Sequence, residues 1–371
     1  MVVDGTLAEA AWGSVSDLRP FVTLSGGPAK NQTTARVLRS RDTLYIAFTC
    51  RFAQGAELKT HQTRRDGDVW LDESVEVFVD PGVSLRKYRH FVLNAAGVQR
   101  DEAGDKAATP PFDADWNGTW RAATSRDATA WHAEIAIPFS DLGLKPGKPA
   151  LVGLNLCRND QTAVDTTCWS PTQSGFHEPV RFGLLSLPVQ RPAALVMTAE
   201  TPRRARLGKG ALSMAVGNTA ASVVSGTVTV IAGNERGRSE TAVAVAGLAP
   251  GETRSVDCAY ELSQSGDNGI VAVLRDGQGS SVAATRFAAS LPVPREAPKY
   301  GHRLAGGEAL SVWWAESMHK VHRGDSLPET ATSEVQLSAA GNEYEAVQIV
   351  LRPPADAEVA LSVSDFVGAA G

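Results

Sequence analysis

No run in this chain approaches the roughly 18 consecutive apolar residues that a membrane-crossing helix needs, and no 3.6-residue periodicity persists along it. Both a helical membrane span and a long-helix architecture are excluded. The chain opens MVVDG, without the basic and then apolar pattern of a secretory leader. The expectation carried forward is an extracellular or periplasmic protein whose leader has been removed. There is no excess of positive charge: 36 Lys and Arg face 41 Asp and Glu, for a net charge of −5. Nucleic acid therefore has no electrostatic claim as a partner, and a neutral ligand fits as well. Cysteine is scarce, and none of the four has CxxC spacing, so the thiols offer no zinc site. Methionine is equally scarce. Beyond Met1 it occurs only at Met197, Met214 and Met318, which argues against a Met/His-ligated haem in the first half of the chain.

What is present is a succession of short alternating runs. LYIAFTCRF, SVEVFVD, YRHFVLN, WHAEIAIPF, ALVGLNLC and RFGLLSL lie between Leu44 and Leu187, punctuated by Gly, Pro, Asn and Asp. This pattern predicts an antiparallel sandwich or barrel over residues 1–187. PVQRP (Pro188–Pro192) reads as a connector, followed over residues 193–291 by GTVTVIAG, TAVAVAGL, RSVDCAYEL and GIVAVLRD, the spacing of an immunoglobulin-like sandwich. PVPREAPKYG (Pro292–Gly301) is a second linker. Residues 302–371 again read as strands but are few for a separate domain, so an incomplete sandwich is expected there, with the natural protein continuing beyond it. The predicted class is all-β, built from tandem antiparallel sandwiches.

The cysteines bear on local structure. Cys157 in LNLCRND and Cys168 in TTCWSP sit in two arms around the polar turn QTAVD, which predicts a hairpin. A cross-strand disulfide is compatible with it, but the required Cβ geometry is not written in sequence. Cys50 and Cys258 read as buried small apolar residues.

The segment DGDVWLDESVEVFVD (Asp66–Asp80) carries the most chemistry. From Ser74 onward, Val75, Val77 and Val79 share one strand face while Ser74, Glu76, Phe78 and Asp80 share the other. Trp70 and Glu76 are six residues apart, an even offset that allows both to serve one side. An aromatic plate beside a hydrogen-bonding carboxylate suits a sugar ring, whose C–H face stacks while its hydroxyls need partners. A core position for Trp70, and a salt bridge or solvent for Glu76, are the structural alternatives. Asp66, Asp68, Asp72 and Glu73 crowd the same loop and allow a structural calcium, although the glycine and terminal glutamate of an EF-hand loop are missing. Arg64 and Arg65 beside them favour a solvated charged loop. No other cofactor is indicated. Asn155 and the run Arg158–Asp160 reach a strand end, as ligand contacts or as turn formers.

The ordered strings DGTLAEAAW (Asp4–Trp12), DTLYIAFTCRF (Asp42–Phe52), DVWLDESVEVFVDP (Asp68–Pro81), FVLNAAG (Phe91–Gly97), WHAEIAIPFSDLG (Trp131–Gly143), CWSP and RFGLLSL resemble the family 9 carbohydrate-binding modules. The resemblance implies a sandwich that holds a sugar between two tryptophans. Trp70 and Glu76 match the first wall and its carboxylate, Trp169 the second wall, and Asn94 a polar contact. Where that family's binding strand often has an arginine two residues before the asparagine, this chain has Val92. Arg89 or His90 substitutes only in a different register. A scaffold that has lost sugar binding is the competing reading.

VWWAESMHKVHRGD (Val312–Asp325) and NEYEAVQIVLR (Asn342–Arg352) resemble the N-terminal sandwich of proteins related to glycoside hydrolase family 123. That resemblance implies a catalytic barrel in cis, with an adjacent acidic pair acting on N-acetylhexosaminides. Within the 371 residues no self-contained active site is evident. Glu76 and Asp80 lie about 13 Å apart along one strand, too far for paired glycosidase carboxylates. His319 and His322 lack an HExxH context. The expected function is glycan binding by a non-catalytic part of a larger glycoside hydrolase.

Overall fold

Alternation with period two organises nearly every element, and the computed structural model is almost entirely antiparallel β-structure. The structure describes residues 1–187, 194–202, 205–292, 301–304, 310–322, 325–338, 344–353 and 358–362. The connector Pro188–Pro192 and most of Pro292–Gly301 lie outside the described residues. Met1–Leu291 forms one unit and Pro292–Gly371 another.

The first unit opens with a two-sheet sandwich. Its larger sheet runs in the order β1 (Val22–Thr23), β11 (Asp165–Cys168), β10 (Ala150–Asp160), β4 (Ser74–Asp80), β5 (Lys87–Asn94), β6 (Gln99–Asp105) and β7 (Phe112–Asp113), with β12 (Gly183–Leu187) paired to the start of β10. The smaller sheet is β2 (Thr33–Arg39), β3 (Thr43–Arg51), β9 (Ala130–Pro138) and β8 (Arg121–Arg126). Between them Val75, Val77, Val79, Phe91, Leu93 and Leu154 meet Ile46, Phe48, Trp131 and Ile135 in one core. Each valine buried this way contributes roughly 1.5–3 kcal/mol.

The alternation in β4 is as the sequence implies, yet all seven of its residues are buried. The face opposite the valines is covered. Phe78 and Tyr88 join Cys157, Cys168, Phe176 and Phe182 in a second apolar cluster, with Phe176 and Phe182 supplied by the segment between β11 and β12. Within it Cys157 and Cys168 are direct partners across the β10–β11 hairpin, and both are free thiols.

A second sandwich follows: β13 (Leu195–Ala199), β14 (Gly208–Asn218) and β17 (Thr253–Leu262) against β16 (Gly237–Leu248), β15 (Val224–Asn234), β18 (Gly266–Asp276) and β19 (Ser281–Leu291). Three strands over four is the immunoglobulin-like arrangement. It has its own core around Val216, Val230, Cys258 and Ile270. The two sandwiches touch through Val83, Leu85 and Leu151 packed on Ile231, Val271 and Val273, and through Arg181 Nη2 on Asp267 at 2.6 Å. In the second unit, β20 (His302–Leu304), β21 (Ser311–Glu316) and β22 (Val347–Arg352) form one antiparallel sheet that buries Trp313 and Trp314. Of the two strings singled out there, Asn342, Glu343, Arg323 and Gly324 lie outside the described residues.

One charged pair lies inside the first core. Arg158 of β10 and Glu73, just before β4, are both fully buried, with Nη2 2.8 Å and Nε 2.9 Å from Glu73 Oε1. Trp131 Nε1 donates to the same oxygen and the Gln161 N–H to the other, while Arg158 Nη1 donates to the Arg51 carbonyl of the opposite sheet at 2.7 Å. Removing one partner leaves an uncompensated buried charge. Arg158→Met is therefore expected to lower unfolding free energy by about 3–5 kcal/mol in urea melts, and Glu73→Gln added to it to recover part of that loss. A loss below about 1 kcal/mol would be the signature of a solvent-exposed pair instead.

Candidate functional site

The candidate site lies on the outer face of the eight-stranded sheet and begins with how Trp70 is held. Trp70 sits on a short 3-10 turn, Val69–Leu71, whose Val69 is fully buried. Asp72 closes the turn by accepting hydrogen bonds from the His61 and Gln62 N–H groups, both at 2.9 Å, and from Asn94 Nδ2 at 2.8 Å. Asn94 Oδ1 in turn accepts from the Ala96 and Val98 N–H groups. Asn94 is thus buried with both polar atoms engaged, and it positions the Trp70 segment from below. Trp70 itself is 36% exposed.

Arg100 of β6 lies beside it, its guanidinium carbon 4.6 Å from the indole centroid. Val92 and Arg100 are direct cross-strand partners in the β5–β6 register and so share a face. At Val92, where the resemblance leads one to expect an arginine, the neighbouring guanidinium is that of Arg100 on the adjacent strand. Arg89 points elsewhere, stacking on Trp116 and donating to the Asp141 carbonyl. Neither Arg100 nor Glu102 was visible in the sequence as a site residue. The signal was the alternation in QRDEAGD, which places Arg100 and Glu102 on one face.

From Arg100 a continuous chain of charge runs inward. Arg100 Nη2 donates to Glu102 Oε2 at 3.1 Å, and His90 bridges Glu102 Oε1 at 3.1 Å and Glu76 Oε2 at 2.7 Å. Asn159 Nδ2 completes the chain on Glu76 Oε1 at 2.6 Å. Burial opposes the charge on His90, but hydrogen bonds to Glu102 and Glu76 outweigh it and lift the imidazole to about 9. Burial likewise works against ionisation of Glu76 and Glu102, and His90 reverses it, holding both carboxyls low and Glu102 at about 2. Two carboxylates, one imidazolium and one guanidinium make this buried row neutral overall, which is what allows it to be buried.

His177 approaches from the covering segment. Its ring stands edge-on to Phe78 and His90, each centroid 5.0 Å away, and its Nδ1 is 2.8 Å from the Tyr88 hydroxyl. Tyr88 reaches it by lying across Gly104, where a Cβ would fall 2.1 Å from the ring. Burial and then the His90 cation push His177 down to about 4, so it is neutral where His90 is charged.

The four residues expected from sequence are therefore placed unequally. Trp70 is exposed and joins Glu76 through Arg100, Glu102 and His90; Glu76 is buried and fully partnered; Asn94 is closed beneath the Trp70 turn. Trp169 is half-buried against the inter-sheet core, its ring filling the space a Cβ on Gly183 would take. Of the four loop carboxylates that allow a calcium ion, Asp72 faces protein donors as above and Glu73 faces Arg158, Trp131 and Gln161. Asn155 is engaged reciprocally with the Ser170 backbone, and Asp160 caps the turn at Thr162 and Ala163.

A family model described as carbohydrate family 9 binding domain-like matches residues 3–189. Among solved structures, a Bacteroides uniformis protein provisionally described as carbohydrate-binding is 20% identical, covering 50% of this chain and 95% of that one, with a TM-score of 0.41. A family 9 carbohydrate-binding module from Caldicellulosiruptor kristjanssonii in complex with cellotriose is 17% identical, covering 50% and 87%, with a TM-score of 0.39. The glucose complex of a module from the same organism gives 17%, 52%, 94% and 0.40 in the same order. No curated protein matches the chain.

The placement of Asn94 makes a checkable demand. Asn94→Ala strips one donor from Asp72 and the acceptor from two turn amides, so it should cost about 1–3 kcal/mol in denaturant unfolding. Amide exchange at Ala96 and Val98 should quicken with it; unchanged exchange there would contradict the assigned bonds.

Proposed function

Because the chain belongs to the carbohydrate family 9 binding domain-like family, we propose that its first sandwich binds a glycan on the outer face of the eight-stranded sheet, with Trp70 as the stacking platform. The observation that carries this reading is the exposed indole braced by a charge-fixed guanidinium. A sugar ring lays its C–H face on the remaining indole surface while Arg100 donates to its hydroxyls. Glu76 contributes through His90 and Glu102, which hold Arg100 in place, and Asn94 through the Trp70 turn. Trp169, half-buried against the core, is assigned the lesser part of a lateral wall. The protein is proposed to be a non-catalytic portion of a larger extracellular or periplasmic glycoside hydrolase, with a family 123-related catalytic region in cis. That wider context draws on the strings at Val312–Asp325 and Asn342–Arg352.

Calorimetry against a panel of soluble gluco- and hexosamine oligosaccharides tests the binding. Trp70→Ala should weaken the best ligand at least about tenfold, or about 1.4 kcal/mol. Arg100→Ala should cost about 1.5–3 kcal/mol, the range of a charge-assisted hydrogen bond. Affinity unchanged in both variants would remove the proposed face. A wild-type chain that binds no member of the panel would favour the scaffold reading, which the internal pairing of Glu76 and Asn94 supports.

A further inference from the structure

Three side chains converge on the outer face from three separate pieces of chain: His90 from β5, Glu102 from β6 and His177 from the segment between β11 and β12. One ligand atom of each lies within 4.8 Å of the other two. We propose that His90, Glu102 and His177 hold a divalent transition-metal ion of the zinc class, which ties the covering segment to the sheet. The proposal does not rest on glycan recognition.

The donor set selects the metal. Two imidazoles and one carboxylate suit zinc and its neighbours, whereas calcium and magnesium prefer all-oxygen shells. Bonds of roughly 2.0–2.2 Å separate tetrahedral ligand atoms by about 3.4 Å. Nδ1 of His90 and Oε1 of Glu102 already stand 3.1 Å apart, so the adjustment falls on His177. Nδ1 of His177 is engaged by Tyr88, and Nε2 has no hydrogen-bond partner among the described residues, which leaves it for the ion. With three protein ligands, the fourth tetrahedral position would be taken by water.

The surroundings strengthen the case, because each ligand has an outer partner that fixes its orientation. Glu76 holds His90 Nε2 at 2.7 Å, the Tyr88 hydroxyl holds His177 Nδ1 at 2.8 Å, and Arg100 holds Glu102 Oε2 at 3.1 Å. The carboxylate on His90 Nε2 sets that ring's tautomer and raises the basicity of Nδ1, while Tyr88 and Arg100 fix the orientation of His177 and Glu102. Phe78 stacks on His90 at 4.0 Å and 11°, locking the ring plane. On binding, a metal–Nδ1 bond forms at His90, the Nδ1–H bond breaks, and the proton leaves to solvent. Glu102 then accepts from Arg100 on one oxygen and meets the ion with the other.

The test uses the full chain, dialysed against chelator, and zinc or cobalt chloride alone. Zinc should bind with one equivalent by calorimetry and raise the melting temperature, and cobalt should give the visible bands of a four-coordinate nitrogen–oxygen site. His177→Ala, altering a partly exposed residue, should weaken zinc at least about tenfold and abolish those bands. Tyr88→Phe, which removes the hydroxyl on His177 Nδ1 and keeps the ring, should weaken zinc about tenfold and shrink the zinc-induced rise in melting temperature beyond the small loss seen in the metal-free variant, a split that a purely structural histidine would not produce. Absence of zinc binding, or binding that both variants leave unaltered, would overturn the site.

Discussion

The Arg158–Glu73 pair is the contact on which the first sandwich and its candidate site both depend. Taking two charges out of water costs several kcal/mol per ion, so the pair is not an obvious source of net stability. What it supplies is placement. Arg158 belongs to the larger sheet and donates to the Arg51 carbonyl in the smaller one, with Thr33 at 3.4 Å, so it joins the two layers at one end. Glu73 lies between Asp72, which closes the Trp70 turn, and Ser74, which begins β4. Closing the sandwich and setting the height of Trp70 are consequences of one buried interaction.

A second constraint follows from covering the outer face. Once the segment carrying Phe176, His177 and Phe182 lies over Phe78 and Tyr88, every polar group beneath it must find a partner inside the protein. Arg100, Glu102, His90, Glu76 and Asn159 answer that demand as one row, each satisfying the next. The row ends at the exposed edge under Trp70. Glu76 and Asn94 are thus held by partners within the protein, while Trp70 remains partly exposed with Arg100 beside it.

Much of the fold was legible. Period-two alternation predicted the tandem β-sandwiches, and the polar QTAVD turn predicted the hairpin in which Cys157 and Cys168 stand opposite one another. The site was legible only in part. Trp70 and Glu76 do connect on one side of the sheet, but through three residues that no local pattern links to them. The four hydrogen bonds that hold Asn94 inside the protein, and the seating of Trp169 over Gly183, are written in no local pattern.

Which residues alternate, where the strands break and how the polar and apolar faces of each strand divide are already written in the order of the amino acids, because side-chain direction along an extended backbone is a local property. Tertiary structure decided that Arg100 stands opposite Val92, that the face bearing Glu76 is covered, and that His90, Glu102 and His177 meet. Those outcomes depend on pairing register and on burial by a segment some eighty residues or more away from β5, and neither is encoded in the period of any single strand.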